Sequence, residues 1–280
     1  MSECFSAWNV YKIYGRTRAL SNVTLEMCRG LNLIIGPNGS GKSTLLKILT
    51  GLSRPTRGRV ESLGMDPWRH RSRLLGMVGV AFEGARLPWW LTGAEILRIY
   101  SREHAIPLES LLEVAEELGV GDWLSRSVRS YSMGMRKKLA LTTALAGDKH
   151  AIVLDEPYTL LDSKTVESLD RILARISRDK PVIVASHVHT RTLEEADKLI
   201  ALVNGVVAYE KKRLTPLTSY KCTGSREELI ELMKREAERI RKAEFTADNQ
   251  LILDYTEPVK PPTDKCSPII AVKPTLIEGK

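Results

Sequence analysis

A short apolar run from Leu31 to Ile35 stops at Gly36, and apolar residues return at Leu45, Leu46, Ile48 and Leu49 with helical spacing. This pattern predicts a buried strand, a glycine-rich loop and a helix in succession. Two more apolar runs predict buried strands: Ala151 to Leu154 runs straight into Asp155 and Glu156, and Pro181 to Ala185 ends at Ser186 and His187. Lys198 to Val203 and Val206 to Tyr209 flank Asn204-Gly205, a dipeptide suited to tight reversal, so a β-hairpin is expected there. Helical patterns at Ala94 to Tyr100 and Ser110 to Leu118 follow Gly, Pro and Trp punctuation between Gly84 and Gly93. They predict a mostly helical subdomain, about residues 84–145, inserted into an α/β core.

Beyond Glu210 the pattern changes. Lys211-Lys212-Arg213 and a loop lead to Ser225, which forms a capping box with Glu228 ahead of an apolar stripe of Leu229, Leu232, Met233, Ala237 and Ile240. Pro258, Pro261, Pro262, Pro268 and Pro274 then predict extended strand or loop. The expected organisation is one large domain over 1–210 and an accessory extension over 211–280, whose stripe packs rather than contacts ligand. No internal repeat is present.

Composition narrows the class. With 280 residues, 43% hydrophobic and 27% charged, the chain can bury a sizeable core. Its net charge of +8 permits a phosphorylated ligand, nucleic acid or acidic lipid as partner, but spread over this length it reads as a solvated basic surface. Cys4, Cys28, Cys222 and Cys266 have no metal-ligand spacing and read as reduced cytosolic thiols rather than a disulfide framework. No stretch approaches the ~20 apolar residues of a membrane helix, and the N-terminus lacks a leader pattern, so a soluble cytoplasmic chain is expected unless a partner holds it at a membrane. Gln250 as the single glutamine, beside abundant Arg, Lys, Glu, Ile and Leu, leans toward a thermophilic source.

Gly36-Pro37-Asn38-Gly39-Ser40-Gly41-Lys42-Ser43 fits G-x-x-x-x-G-K-[ST] and sits between the predicted strand and helix. Such a loop turns successive backbone N–H groups toward phosphate oxygens, and the helix dipole adds to the attraction. Lys42 is placed to reach the β- and γ-phosphates, and the Ser43 hydroxyl to ligate Mg²⁺. At the end of the second strand, Asp155 suits Mg²⁺ held through water, and Glu156 is placed to deprotonate an attacking water.

In motif order, residues 5 to 210 resemble the nucleotide-binding subunit of an ABC (ATP-binding cassette) transporter. The resemblance implies a P-loop NTPase cassette: a RecA-like α/β core, an antiparallel β subdomain and an inserted helical subdomain, with ATP and Mg²⁺ as cofactors. Tyr14 takes the place of the aromatic that stacks on adenine, and Thr44 follows the P-loop serine. Tyr131-Ser132-Met133-Gly134-Met135 resembles the signature motif, implying that Ser132 and Gly134 contact nucleotide. Leu160-Leu161-Asp162 matches the D-loop, and His187 the switch histidine that senses the γ-phosphate. Two positions depart from the usual pattern: Glu83 stands where a glutamine usually binds Mg²⁺, and Met133 replaces a glycine. Both, with Leu91-Thr92-Gly93-Ala94-Glu95, resemble the cassettes that serve ABC-2-type exporters. Trp89-Trp90 is open to two readings, the groove for a membrane partner or the domain's own core.

In this family the signature faces a second cassette's P-loop. The resemblance therefore implies head-to-tail dimerisation, as homodimer or heterodimer, around two ATP molecules. It also implies a separate transmembrane permease, with the chain peripheral on the inner face of the cell membrane. A soluble ABC ATPase acting on nucleic acid or in assembly is the alternative. The spacing between P-loop and Asp155 leaves no room for the long coiled coil of DNA-repair ATPases, which argues against nucleic acid.

Overall fold

The computed structural model describes residues 3–84, 87–187, 196–212, 219–236, 240–245, 250–255 and 262–269. The chain divides into two compact units, 1–212 and 213–280.

In the first unit, β1 (Phe5–Tyr14), β2 (Thr17–Met27) and β4 (Arg57–Ser62) form an antiparallel sheet in the order β2-β1-β4. The second sheet contains β3 (Gly30–Ile35), β5 (Val78–Ala81), β6 (Ala151–Asp155), β7 (Pro181–Ser186), β8 (Lys198–Val203) and β9 (Val206–Lys212). Its order is β5-β6-β7-β3-β8-β9, parallel throughout except for the β8-β9 hairpin, which turns at Asn204-Gly205 as the sequence predicts. All residues of β6 and β7 are buried, because strands covered on both faces carry continuous apolar runs. Helix α1 (Lys42–Leu49) buries Leu45, Leu46, Ile48 and Leu49 in the core between the two sheets. Each such side chain contributes about 1.5–3 kcal/mol of burial.

After α2 (Arg71–Met77) and β5, the chain enters the helical segment: α3 (Gly93–His104), α4 (Leu108–Glu117) and α5 (Met133–Leu145). Thr92 and Glu95 close a capping box on α3, and Ser132 caps α5 by accepting from the Met135 N–H at 3.2 Å. Helix α6 (Ser163–Ser177) begins at its cap, Asp162, and leads to β7.

The topology brings separated sequence to one edge. Strands β6, β7 and β3 are neighbours and end together, with Ile35 opposite Ser186 and Asp155 opposite Ala185. The loop after β3, the Asp155-Glu156 step and His187 therefore emerge side by side, at the carboxyl ends where parallel sheets bind ligands.

In the second unit, α7 (Arg226–Arg235) is accompanied by β10 (Ser219–Cys222), β11 (Ile240–Phe245), β12 (Leu251–Tyr255) and β13 (Cys266–Ile269), in the order β11-β12-β10-β13. The Ser225–Glu228 capping box forms, and Leu229 and Leu232 are buried. The predicted stripe runs too far. The helix stops at Glu236 and Ile240 opens β11, while Ala237 lies outside the described residues. Pro268 sits in the edge strand β13, where a missing N–H costs no ladder bond to a second neighbour.

The reading of the cysteines as free thiols is corrected: Cys4 pairs with Cys28 and Cys222 with Cys266, leaving no free cysteine. Sequence spacings of 24 and 44 hide what antiparallel register creates. Phe5 faces Met27, which puts the next residues outward, Cys4 and Cys28, opposite each other, and Cys222 faces Cys266 directly. In each pair the Cα atoms are 4.1 Å apart. The unfolded oxidised chain is thus expected to show no thiol to Ellman's reagent before reduction. Cys266→Ser is expected to lower the stability of the second unit by about 2–4 kcal/mol, read by urea denaturation of the full chain under oxidising conditions.

Candidate nucleotide and metal site

The site is built around Glu156, a carboxylate only 4% exposed. One of its oxygens lies 3.3 Å from Lys42 Nζ, and the other accepts the His187 backbone N–H at 3.2 Å and faces His187 Nδ1 at 2.7 Å. A carboxylate only accepts, so Nδ1 carries the proton in this contact. The Lys42 ammonium also donates to the carbonyls of Gly36 at 2.8 Å and Pro37 at 3.3 Å. P-loop, Glu156 and His187 thus form one hydrogen-bonded group, as the strand order requires.

The loop itself is shaped by close approach. A Cβ on Gly36 would fall 2.1 Å from the Leu202 carbonyl oxygen, so no larger residue fits against β8. Gly39 and Gly41 complete the turn at positive φ, and Ser40 accepts through its carbonyl the N–H of Gly205 from the hairpin turn. Among the described residues, the buried Ser40 hydroxyl has no hydrogen-bond partner. Asn38 is exposed, and Thr44 follows Ser43 in the first turn of α1.

Next to Glu156, Asp155 is 3% exposed and, among the described residues, its Oδ1 has no hydrogen-bond partner. The Ser43 hydroxyl lies near enough to its side chain to favour the ionised form. Burial pushes the Asp155 carboxyl above the usual range. The charges of Glu156 and Glu83 push it the same way, opposed by the Ser43 hydroxyl and the Lys137 charge. An orphaned buried carboxylate oxygen, a serine hydroxyl and a further carboxylate nearby form the hard-oxygen donor set that Mg²⁺ takes. These residues fit the ion that the sequence implies.

A second group of site residues gathers elsewhere. Ser132 caps α5, and among the described residues its hydrogen bonds stay within that helix start. Gly134 lies against the D-loop, where a Cβ would meet the Leu160 carbonyl oxygen at 2.7 Å. Met133 is 71% exposed. Asp162 accepts from Lys138 Nζ at 2.7 Å and from the Thr165 N–H at 2.9 Å, and these contacts hold its carboxyl well below the ordinary range. Signature and D-loop therefore form one surface within the chain. Tyr14 stands at the end of β1, half exposed, its hydroxyl 3.4 Å from Ser53 Oγ and its ring under Lys12 Nζ. Trp89 and Trp90 are 56% and 66% exposed and pack edge to face, which excludes the core reading of this pair.

Sequence reasoning missed one residue at the centre. Lys137, which no motif singles out, donates to the carbonyls of Glu156 at 2.6 Å and Asp155 at 3.4 Å. Burial lowers its ammonium, opposed by the charges of Glu83, Asp155 and Glu156. Its spacing, one helical turn after Gly134, is the only trace that the sequence carries.

Comparison with known proteins agrees with this architecture. The family described as ABC transporter matches residues 20–159. The daunorubicin resistance ATP-binding protein DrrA3 of Streptomyces coeruleorubidus is 33% identical over 203 residues, which is 70% of this chain and 63% of the relative. The lantibiotic transport ATP-binding protein SrtF of Streptococcus pyogenes is 29% identical, covering 73% of this chain and 89% of its own. The dimeric post-hydrolysis structure of the ATP-binding cassette MJ0796, bound to ADP and Pi, superposes with a TM-score of 0.66 at 27% identity, over 74% of this chain and 98% of that one. Two sheets of this topology, a P-loop braced against Glu156 and the family match have one reading: the chain belongs to the ABC transporter family, as one of its ATP-binding cassettes.

Proposed function

We propose that the chain binds and hydrolyses ATP to power a separate membrane permease, in an exporter. The observation that carries this is the Glu156 carboxylate, buried between the P-loop lysine and His187. In this reading the backbone N–H groups of Gly36 to Ser43 cradle the phosphates, with Thr44 beside them, and Lys42 turns from its loop carbonyls to the β- and γ-phosphates. Ser43, Asp155 and Glu83 would hold Mg²⁺, which would supply neutralisation of phosphate charge. Glu156 takes the proton of the attacking water, and His187 holds that carboxylate and senses the γ-phosphate. Tyr14 stacks on the adenine.

Among the described residues, the side chains of Ser132 and Asp162 bond within their own helix starts and to Lys138, not to Lys42, Glu156 or His187; in this reading they and Gly134 serve the ATP of a second cassette, and the working form is a head-to-tail dimer. The exposed Trp89–Trp90 pair suits a permease contact, since large aromatics left in water are the usual anchors of an interface. Among the described residues, no helix is long and apolar enough to cross a membrane, so passage through the bilayer falls to the partner. DrrA3 and SrtF, by their names a drug-resistance and a lantibiotic-transport protein, support export.

The test is Mg²⁺-dependent ATPase activity, with Glu83 as probe. Because like charge and burial raise the Asp155 carboxyl, acidification protonates it early and should weaken Mg²⁺ use as pH falls. Glu83→Gln removes one of the repelling charges but keeps an oxygen ligand. It is expected to preserve the maximal rate and flatten the decline in the acidic range. Glu83→Ala is expected to need at least several-fold more Mg²⁺. Superimposable Mg²⁺ titrations for all three proteins would remove Glu83 from the ligand set.

A further inference from the structure

Glu156 stands on an unfavourable backbone. Its φ is +49°, in the left-handed region that costs side-chain-bearing residues, and it precedes Pro157, which biases it toward an extended conformation instead. The strand below fixes one side of the step, since the Glu156 N–H donates to the Ala185 carbonyl at 2.8 Å. The other side is held from the helical segment. Lys137, on α5, extends a half-buried side chain to the Glu156 carbonyl at 2.6 Å and the Asp155 carbonyl at 3.4 Å. Residues in sparsely populated backbone conformations persist only where the surroundings over-determine them, and they concentrate at functional sites.

We propose that Lys137 is a positioning residue for ATP hydrolysis, gripping the carbonyls of Asp155 and Glu156 so that the strained turn keeps the Glu156 carboxylate aimed at the attacking water. Relaxing Glu156 to negative φ would swing its side chain away from Lys42 and His187, so a hold on its carbonyl is a hold on the base. The inference rests on the hydrolytic reading above. It adds a mechanical link: α5 starts at Ser132 and Gly134, the residues assigned to the second cassette's nucleotide, and one turn later carries the grip on this chain's own base. A shift of α5 is thereby felt at Glu156.

The experiment compares wild type, Lys137→Met, Lys137→Gln and Lys137→Arg in the full chain, by steady-state ATPase kinetics, ATP binding and thermal melting. Lys137→Met is expected to lower kcat at least tenfold while KM for ATP stays within about threefold, and Lys137→Arg, which can still reach the carbonyls, to recover much of the rate. Adding Lys137→Met to Glu156→Gln should change residual hydrolysis less than twofold, because the group it positions is already gone. If Lys137→Met does not fold, Lys137→Gln carries the same expectations. A kcat within twofold of wild type overturns the proposal. So does a loss confined to KM, or an equal loss in the Glu156→Gln background, since either describes a merely structural lysine. Failure of the hydrolytic reading is distinguishable, because it shows in wild type as ATP binding without Mg²⁺-dependent turnover, and it takes this inference with it.

Discussion

Glu156→Gln is expected to bind ATP with near wild-type affinity and to hydrolyse it at least a hundredfold more slowly. The amide keeps the size of the carboxylate and an oxygen that accepts the His187 N–H, so the pocket survives. What disappears is the group able to take a proton from water, and a positioned base of this kind contributes about 10²–10⁴ in rate. Lys42 loses one anionic neighbour but retains the Gly36 and Pro37 carbonyls, so its place in the loop is still defined. With hydrolysis stopped after binding, the proposed ATP-filled dimer should accumulate. Size exclusion with ATP and Mg²⁺ is expected to show the variant as a dimer; a variant that remains monomeric, while wild type turns ATP over, would count against the sandwich mechanism.

Lys42→Met is expected to have the second largest effect, on stability as well as on function. Lys42 and Glu156 form an ion pair whose side chains are only 5% and 6% exposed. Removing one partner of such a pair strands the other charge in the interior, which costs about 3–5 kcal/mol. A charge-assisted bond to phosphate is lost at the same time, so ATP binding should weaken at least tenfold. The double variant Lys42→Met with Glu156→Gln separates the two effects. It leaves no stranded charge and should regain much of the stability by urea denaturation, while remaining unable to bind or hydrolyse ATP normally. A double variant as unstable as Lys42→Met alone would show that the pair is not what the lysine serves in folding.

The sequence made β3, β6 and β7 legible because each is a buried, largely apolar run ending in polar residues, Gly36, Asp155 and His187, whereas the short β5 (Val78–Ala81) of the same sheet drew no prediction. The hairpin was legible for a different reason, the conformational demand met by Asn204-Gly205. What stayed hidden depends on register between distant segments. Neither disulfide shows in spacing, since only the pairing of Phe5 with Met27 and of Cys222 with Cys266 makes neighbours of the four cysteines. The apolar stripe past Glu236 failed because helical spacing in the sequence carries on beyond the end of α7, while Ile240 already belongs to β11. Within the proposed site, the P-loop, the acidic pair and His187 announce themselves by residue type at strand ends. Lys137 does not, because its partners are backbone carbonyls, which look alike in every sequence.

The strand that feeds the phosphate loop is finished by Ile35, yet its two neighbours are β7 and β8, and the loop is tied to the hairpin turn by the Gly205 N–H. During synthesis, then, the phosphate loop emerges early and is the last part of the proposed site to be secured. The antiparallel β1-β2-β4 sheet has all its strands once Ser62 has left the ribosome, and the α3 to α5 segment is whole by Leu145. The central strand, apolar but for Asn32, must wait for residues 181–205 to emerge before it can be sheathed. This largely apolar strand beside the proposed nucleotide site is thus exposed longest to chaperones and to misassociation, and a chain interrupted anywhere before the hairpin is a protein with an ATP motif and no ATP site.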